Sequence, residues 1–183
     1  MKRFIWPLAA FALLVLVLAI GLRHAPEKGV IKSPLLGKPA PQFAIPDLKD
    51  ATRKIASAEL LGGWHMVNVW ATWCGECRVE HAQLLAIHQD GRLPIIGIDW
   101  KDDDAQAHAW LANLGDPYDR VGTDHEGDVA INWGVYGAPE TFLVDPRGTI
   151  VAKHIGAMTE EKFQEWLRVY VGGGGAAAGA GTP

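Results

Sequence analysis

Two cysteines, Cys74 and Cys77, are the only ones in this chain of 183 residues, and two residues separate them. A largely apolar run, residues 66–70, precedes the pair, and apolar residues at helical spacing follow it, which predicts a strand that turns directly into a helix. Such a turn puts Cys74 at the helix N-terminus, where free backbone N–H groups and the helix dipole favour a thiolate. The thiolate is the nucleophile of disulfide exchange, and Cys77 lies close enough to close a disulfide. We therefore predict a redox-active thiol–disulfide site.

Three other roles for the cysteine pair fit the residues less well. A structural disulfide across so short a loop removes little chain entropy. A zinc site needs four ligands; with no second Cys-x-x-Cys in the sequence, His65, His81 and His88 would have to complete it. Haem attachment needs a histidine directly after the second cysteine, where this chain has Arg78. We therefore expect no metal and no cofactor, and we expect His81 on the helix surface.

Composition sets limits on the partners and on the size of the fold. The net charge is −4 with both signs mixed, and 49% of the residues are hydrophobic, so a substantial core is possible and nothing indicates nucleic-acid binding. The length suits one domain of about 130–140 residues with extensions. Two cysteines do not make a disulfide framework.

The N-terminal segment predicts export. Residues 1–3 carry two positive charges, and residues 4–22 form an uninterrupted uncharged run of about the length that spans a bilayer core. The positive-inside rule places residues 1–3 in the cytoplasm. We favour an uncleaved transmembrane anchor, and a cleaved signal peptide is the alternative. Either segment exports the remaining chain to an oxidising compartment.

The remaining chain divides into a tether at residues 23–37, a folded domain at 38–171 and a Gly/Ala-rich tail at 172–183 that we expect to be disordered. Strands that alternate with helices predict an α/β layer fold, and a closing hairpin makes the sheet mixed. The predicted strands cover residues 42–47, 53–56, 66–71, 93–99, 119–123, 141–145 and 150–155. The predicted helices start near residues 57, 75, 102, 124 and 159, and the last one runs to about residue 170.

Two segments resemble a known family. Residues 69–77, Val-Trp-Ala-Thr-Trp-Cys-Gly-Glu-Cys, resemble the active site of the thioredoxin superfamily. Residues 134–145, Gly-Val-Tyr-Gly-Ala-Pro-Glu-Thr-Phe-Leu-Val-Asp, are similar to the fingerprint of the membrane-anchored DsbE (CcmG) family of cytochrome c maturation. The Cys-x-x-Cys-Arg-x-Glu-His run ending at residue 81, residues 100–103 and the N-terminal anchor strengthen this resemblance.

The resemblance implies a three-layer thioredoxin-like fold with a central mixed sheet and an N-terminal β-hairpin extension. It implies a periplasmic reductase tethered to the inner membrane in a single pass. Its implied partners are apocytochrome c or a CcmH-type thiol protein, and a membrane electron donor of the DsbD/CcdA type. A broader TlpA/ResA-type periplasmic reductase is an alternative in the same class, and a copper carrier is an alternative from another class.

The resemblance also assigns roles to individual residues. Cys74 attacks the substrate disulfide, and Cys77 resolves the mixed disulfide. Pro139 matches the superfamily's cis-proline, which turns the Ala138 backbone so that it can pair with an extended substrate. Trp73, directly before the nucleophile, is expected to present an apolar docking surface.

Two carboxylates and one amide set the expected redox behaviour. Glu140, if buried near the sulfurs, and Glu76, between the cysteines, would disfavour the thiolate and make the pair a reductant. Asn68 occupies the strand position where thioredoxins carry a buried, proton-accepting Asp. Since an amide performs no acid–base chemistry, we expect Glu140 to be the proton acceptor for Cys77.

Overall fold

A computed structural model describes Trp6, Phe11, residues 13–18 and residues 33–172. The chain divides into one unit that ends at Lys32 and another that begins at Ser33. The described residues of the predicted anchor are helical, and their apolar side chains are exposed. No helix within the described ranges is long and apolar enough to cross a bilayer. The other residues of the anchor, most of the tether and the tail after residue 172 lie outside those ranges.

Seven strands and four α-helices make up the part of the second unit that the structure describes. The strands are β1 Ala44–Asp47, β2 Asp50–Ala56, β3 His65–Trp70, β4 Ile95–Trp100, β5 Arg120–Asp124, β6 Glu140–Val144 and β7 Ile150–Ile155. The helices are α1 Gly75–Asp90, α2 Asp104–Leu114, α3 Asp128–Asn132 and α4 Glu160–Trp166, with a 3₁₀ turn at Ser57–Leu60 and a π-helical turn at Leu167–Val171.

The strands form one mixed sheet in the order β2-β1-β5-β4-β3-β6-β7. Strands β3, β4 and β5 are parallel, whereas β6 and β7 join antiparallel beside β3. The hairpin β1–β2 is present, as the resemblance implied, and it joins the sheet antiparallel to β5. Arg120 of β5 forms ion pairs with Asp47 of the hairpin at 2.9 Å and with Glu59 of the following 3₁₀ turn at 2.8 Å.

Separate hydrophobic clusters cover the two faces of the sheet. Alternate residues of a strand point to opposite faces, so Met66 and Trp70 of β3 belong to one cluster and Val67 and Val69 to the other. Helices α1, α2 and α4 pack on the first face, and α3 packs on the second. The fold therefore has the three layers that we predicted.

Side-chain caps and one glycine set the helix ends. Asp103 caps α2 by accepting from the Gln106 N–H, and Thr159 caps α4 by accepting from the Lys162 N–H, at the predicted start. Helix α1 ends at Gly91, whose φ of 73° is left-handed and suits glycine. The α-helical pattern predicted to reach residue 170 stops earlier, because the backbone widens into a π-helical turn after Trp166.

Candidate active site

The turn from β3 into α1 places the two sulfurs at a helix N-terminus. Cys74 is the N-cap of α1, and its Sγ accepts a hydrogen bond from the Cys77 backbone N–H at 3.1 Å. The two residues form a disulfide, and both are almost fully buried. A sulfur that accepts a backbone N–H at the positive end of a helix is stabilised as a thiolate once the disulfide is reduced.

The loop before Cys74 is tied to the segment that follows β4. The Thr72 hydroxyl donates to Asp102 Oδ1 at 2.7 Å, and the Thr72 N–H donates to the other oxygen of the same carboxylate. The Trp73 indole N–H donates to the Lys101 carbonyl at 3.1 Å, and its ring centroid lies 5.6 Å from that of Trp100. Trp73 is nevertheless 57% exposed, so it presents an aromatic surface next to Cys74.

The loop before β6 lies at the end of the sheet where β3 leads into Cys74. The Ala138–Pro139 peptide bond is cis, as the resemblance implied. Strand β6 is antiparallel to β3, and Glu140 at its start pairs with Val69 near the end of β3. Ala138 packs against the cluster that contains both cysteines. The residues predicted to bind substrate therefore lie close to the disulfide.

Glu140 is fully buried, as the proposed tuning role required, but it has a cationic partner. The Lys153 Nζ lies 2.7 Å from Glu140 Oε2, and the Tyr136 N–H donates to Glu140 Oε1 at 2.9 Å. The lysine charge offsets the carboxylate charge, so the predicted effect of Glu140 on the thiols is weakened. Proton transfer to Glu140 stays a prediction.

A second buried carboxylate, Glu80, was missed by the sequence analysis. Its Oε1 accepts from the Asn68 amide at 2.9 Å and its Oε2 accepts from the Met158 N–H at 2.8 Å. Burial raises the pKa of Glu80 to about 7 in spite of these two donors. Glu80 lies one helical turn after Cys77, so the two side chains are neighbours on the inward face of α1. The available signal was a charged residue three positions after Cys77, in line with the apolar stripe.

Asn68 links the Glu80 carboxylate to the buried Tyr118 and Thr141 through hydrogen bonds. The Tyr118 hydroxyl donates to Asn68 Oδ1 at 2.9 Å, and the Asn68 amide donates to Thr141 Oγ1 at 3.0 Å as well as to Glu80. Burial raises the pKa of Tyr118 well above its ordinary value, so its hydroxyl remains a donor. An Asp at position 68 would place a second carboxylate against Glu80, whereas Asn supplies the N–H that Glu80 accepts.

His81 is buried, which corrects the expected place on the helix surface. The Trp110 indole N–H donates to His81 Nδ1 at 3.1 Å, and His81 Nε2 lies 3.0 Å from the Gly115 carbonyl. Because an indole only donates, Nδ1 is the acceptor and Nε2 carries the hydrogen. Burial lowers the pKa of His81. The imidazole is thus a neutral link between α1 and α2.

Asp99 is a third buried carboxylate near the site. It lies next to Trp70 across the β3–β4 pairing, and neither of its oxygens accepts a hydrogen bond from any residue that the structure describes. Burial, and after it the negative charge of Asp102, raises the pKa of Asp99 to about 8. Asp99 is therefore largely protonated at neutral pH.

We predict that Asp99→Asn stabilises the oxidised protein at alkaline pH. The pKa of Asp99 is higher in the folded than in the unfolded chain, so its contribution to stability is complete below about pH 4 and is lost as the pH rises through about 8. Asparagine does not ionise, so the gain in unfolding free energy should grow from near zero at about pH 4 to a few kcal/mol above about pH 8. Urea unfolding of the full chain in detergent at several pH values measures this.

The matched control for that experiment is Glu126→Gln, which removes an exposed carboxylate from the same end of the sheet. Its unfolding free energy should follow that of the unmodified chain at every pH. Parallel pH profiles for Asp99→Asn and the unmodified chain would contradict the assignment.

Comparison with known proteins agrees with this fold and site. The model of the AhpC/TSA family matches residues 36–153. A crystal structure assigned as a thiol:disulfide interchange protein DsbE of Chlorobium tepidum is similar to 73% of this chain over 96% of its own, with 26% identity and a TM-score of 0.60. The fold is thus thioredoxin-like, and the chain is a thiol:disulfide oxidoreductase.

The sequence relatives are more specific. A DsbE thiol:disulfide interchange protein of Allochromatium vinosum is 43% identical over 93% of this chain and 93% of its own. The DsbE protein of Pseudomonas aeruginosa is 41% identical over 91% of this chain and 92% of its own. The chain therefore belongs to the DsbE family of thiol:disulfide interchange proteins within the AhpC/TSA family.

Proposed function

We propose that this chain is a periplasmic thiol:disulfide reductase that keeps apocytochrome c, or a CcmH-type thiol protein, reduced for haem attachment. The observation that carries the proposal is the site itself. A disulfide at a helix N-terminus follows β3, the cis-proline loop leads into the strand that pairs with β3, and Trp73, directly before Cys74, is exposed. The DsbE relatives and the segment at residues 134–145 support the cytochrome c role over a general one.

The reaction moves two electrons from the protein dithiol to the substrate disulfide. The Cys74 thiolate attacks one substrate sulfur, so that a bond from Cys74 to the substrate forms and the substrate disulfide breaks. The released substrate thiolate takes up a proton. Cys77 then loses its proton and attacks Cys74, which forms the Cys74–Cys77 disulfide and releases the second substrate thiolate.

Glu80 is the base that we propose for the second attack. It lies one turn from Cys77, its pKa is raised to about 7 by burial, and a base acts best when its pKa is near the working pH. Glu140 is engaged by a lysine ammonium at 2.7 Å, whereas Glu80 accepts only from an amide and a backbone N–H. Glu80 therefore replaces Glu140 in our mechanism.

Regeneration requires a supply of electrons from a membrane donor of the DsbD/CcdA type. An anchor at residues 4–22 would hold the domain at the inner membrane, where both this donor and the haem-attachment machinery act. Trp73, with 57% of its surface exposed, and Tyr136, with 66%, are the aromatic side chains that we expect to contact both partners in turn. Buried aromatic side chains commonly dominate such interfaces.

Glu80→Gln should slow the resolution of the mixed disulfide by about a hundredfold or more, because it removes the general base. The rate for the unmodified protein should rise through about pH 7, and this rise should vanish in the variant. A single-turnover experiment that follows the release of reduced peptide from Cys74 measures both effects.

Glu161→Gln, which changes an exposed carboxylate in the first turn of α4, is the control and should resolve at close to the normal rate. The first attack by Cys74 on a small aromatic disulfide should persist in both variants. An unchanged resolution rate and pH profile in Glu80→Gln would remove Glu80 from the mechanism.

The equilibrium potential should be that of a reductant, because buried carboxylates disfavour the thiolate and so stabilise the disulfide. We expect a value more negative than about −180 mV, the range of protein disulfide isomerase, when the full chain is equilibrated with glutathione. A value near about −120 mV, as for the oxidant DsbA, would contradict the reductase direction.

In cells, Cys74→Ser should abolish holocytochrome c formation, since no nucleophile remains. Cys77→Ala should trap the physiological substrate as a mixed disulfide on Cys74, because the resolving thiol is absent. Haem staining and identification of the trapped protein measure the two effects. Normal holocytochrome c with other trapped exported proteins would favour the TlpA/ResA-type alternative.

If the chain were a copper carrier, the reduced protein should bind Cu(I) tightly and should not reduce disulfides. Among the described residues no group of three or more His, Cys, Asp or Glu side chains is arranged to hold a metal ion. Stoichiometric tight binding of Cu(I) to the reduced full chain, without reduction of a disulfide substrate, would overturn our proposal in favour of the carrier.

A further inference from the structure

Lys153 of β7 has an unusual environment for a lysine. Its side chain is only 4% exposed, and its Nζ contacts the Glu140 carboxylate and donates to the Gly134 carbonyl, each at 2.7 Å. Lysine is rarely buried unless it is paired. This ammonium group therefore has specific partners, and they lie on one segment of the chain, the connection from α3 to β6.

Further contacts hold the middle of that connection. The ring centroid of Tyr136 lies 4.9 Å from Lys153 Nζ, which is within range of a cation–π interaction. The Tyr136 N–H donates to Glu140 Oε1 at 2.9 Å. Lys153 and Glu140 together thus contact the start, the middle and the end of residues 134–140, the segment that contains the cis-proline.

Stability alone gives a weak reason for this arrangement. A buried ion pair often contributes no more to stability than apolar side chains of similar volume. Phe142, which pairs with Lys153 across β6 and β7, shows that the surroundings are partly apolar. The contacts with the Gly134 carbonyl and the Tyr136 ring instead constrain backbone and side-chain direction, which an apolar residue would not do.

We propose that Lys153 is a positioning residue for disulfide exchange, and that it holds residues 134–140 in the shape that accepts an extended substrate. The inference rests on the substrate-pairing role that we proposed for Ala138 and Pro139. Lys153 itself takes no part in electron or proton transfer. Its loss should therefore weaken the binding of peptide substrates and leave the chemistry of the sulfurs intact.

The test compares two substrates of the reduced full chain. One is an oxidised peptide of about a dozen residues with a Cys-x-x-Cys disulfide, and the other is 5,5′-dithiobis(2-nitrobenzoate), which has no backbone to pair. Lys153→Met should raise the peptide KM about tenfold with a similar kcat, since small misplacements of binding groups are costly. The rate with the small disulfide should change by less than about twofold, and Lys153→Arg should retain most of the peptide affinity.

A second variant distinguishes a loss of substrate positioning from misfolding as the cause of a raised KM. Lys153→Met leaves Glu140 buried without its cation, so Lys153→Gln, which keeps an N–H donor for the Glu140 carboxylate, is tested beside it. Lys153→Gln should fold, react normally with the small disulfide and still show the raised peptide KM, because it has no charge to place against the Tyr136 ring. A normal peptide KM in either variant, once circular dichroism shows that it is folded, would overturn the proposal for Lys153. Failure of the unmodified chain to reduce the peptide in a saturable way would instead overturn the proposed function.

Discussion

The abrupt passage from β3 into α1 is the constraint on which the site depends. It leaves the first backbone N–H groups of α1 without helical partners, and one of them finds the Cys74 sulfur at 3.1 Å. The same turn directs Cys77 and Glu80 inward, one turn apart. The proposed nucleophile, resolving thiol and base thus all follow from a single strand-to-helix junction, and the rest of the fold holds that junction in place.

Buried ionisable side chains surround the junction, and each is accommodated differently. Glu80 accepts two hydrogen bonds and keeps a pKa of about 7, Glu140 is paired with a lysine, and Asp99 holds a proton. Burial of a charge is costly unless it is paired, hydrogen-bonded or neutralised, and all three solutions occur here. Raised pKa values, such as those of Glu80 and Asp99, are typical of functional sites.

The sequence predicted the order of strands and helices, the hairpin and the disulfide because each has a local signal. Apolar runs, helix caps and the Cys-x-x-Cys spacing all act within a few residues of the chain. The roles of Glu80 and Glu140 required long-range information. Met158 is 78 positions from Glu80, and Lys153 reaches Glu140 only because β6 and β7 pair, so no local pattern could show which carboxylate had a cation beside it.

The burial of His81 was missed for a similar reason. Its partners, Trp110 and the Gly115 carbonyl, belong to α2 and its C-cap. His81 is a core residue because α2 and its C-cap offer it an indole donor and a carbonyl acceptor. Helix periodicity therefore correctly predicted that His81 lies on a helix, but not that its side chain is buried.

The β1–β2 hairpin also determines which strand lies at one edge of the sheet. Without it, the parallel strand β5 would end the sheet with unsatisfied backbone groups, which is a template for pairing between chains. With the hairpin present, the edge strand is β2, whose exposed Asp50, Arg53 and Lys54 carry charges of both signs. Charged edge strands discourage strand-to-strand aggregation, so the hairpin protects this edge of the sheet against pairing with other chains.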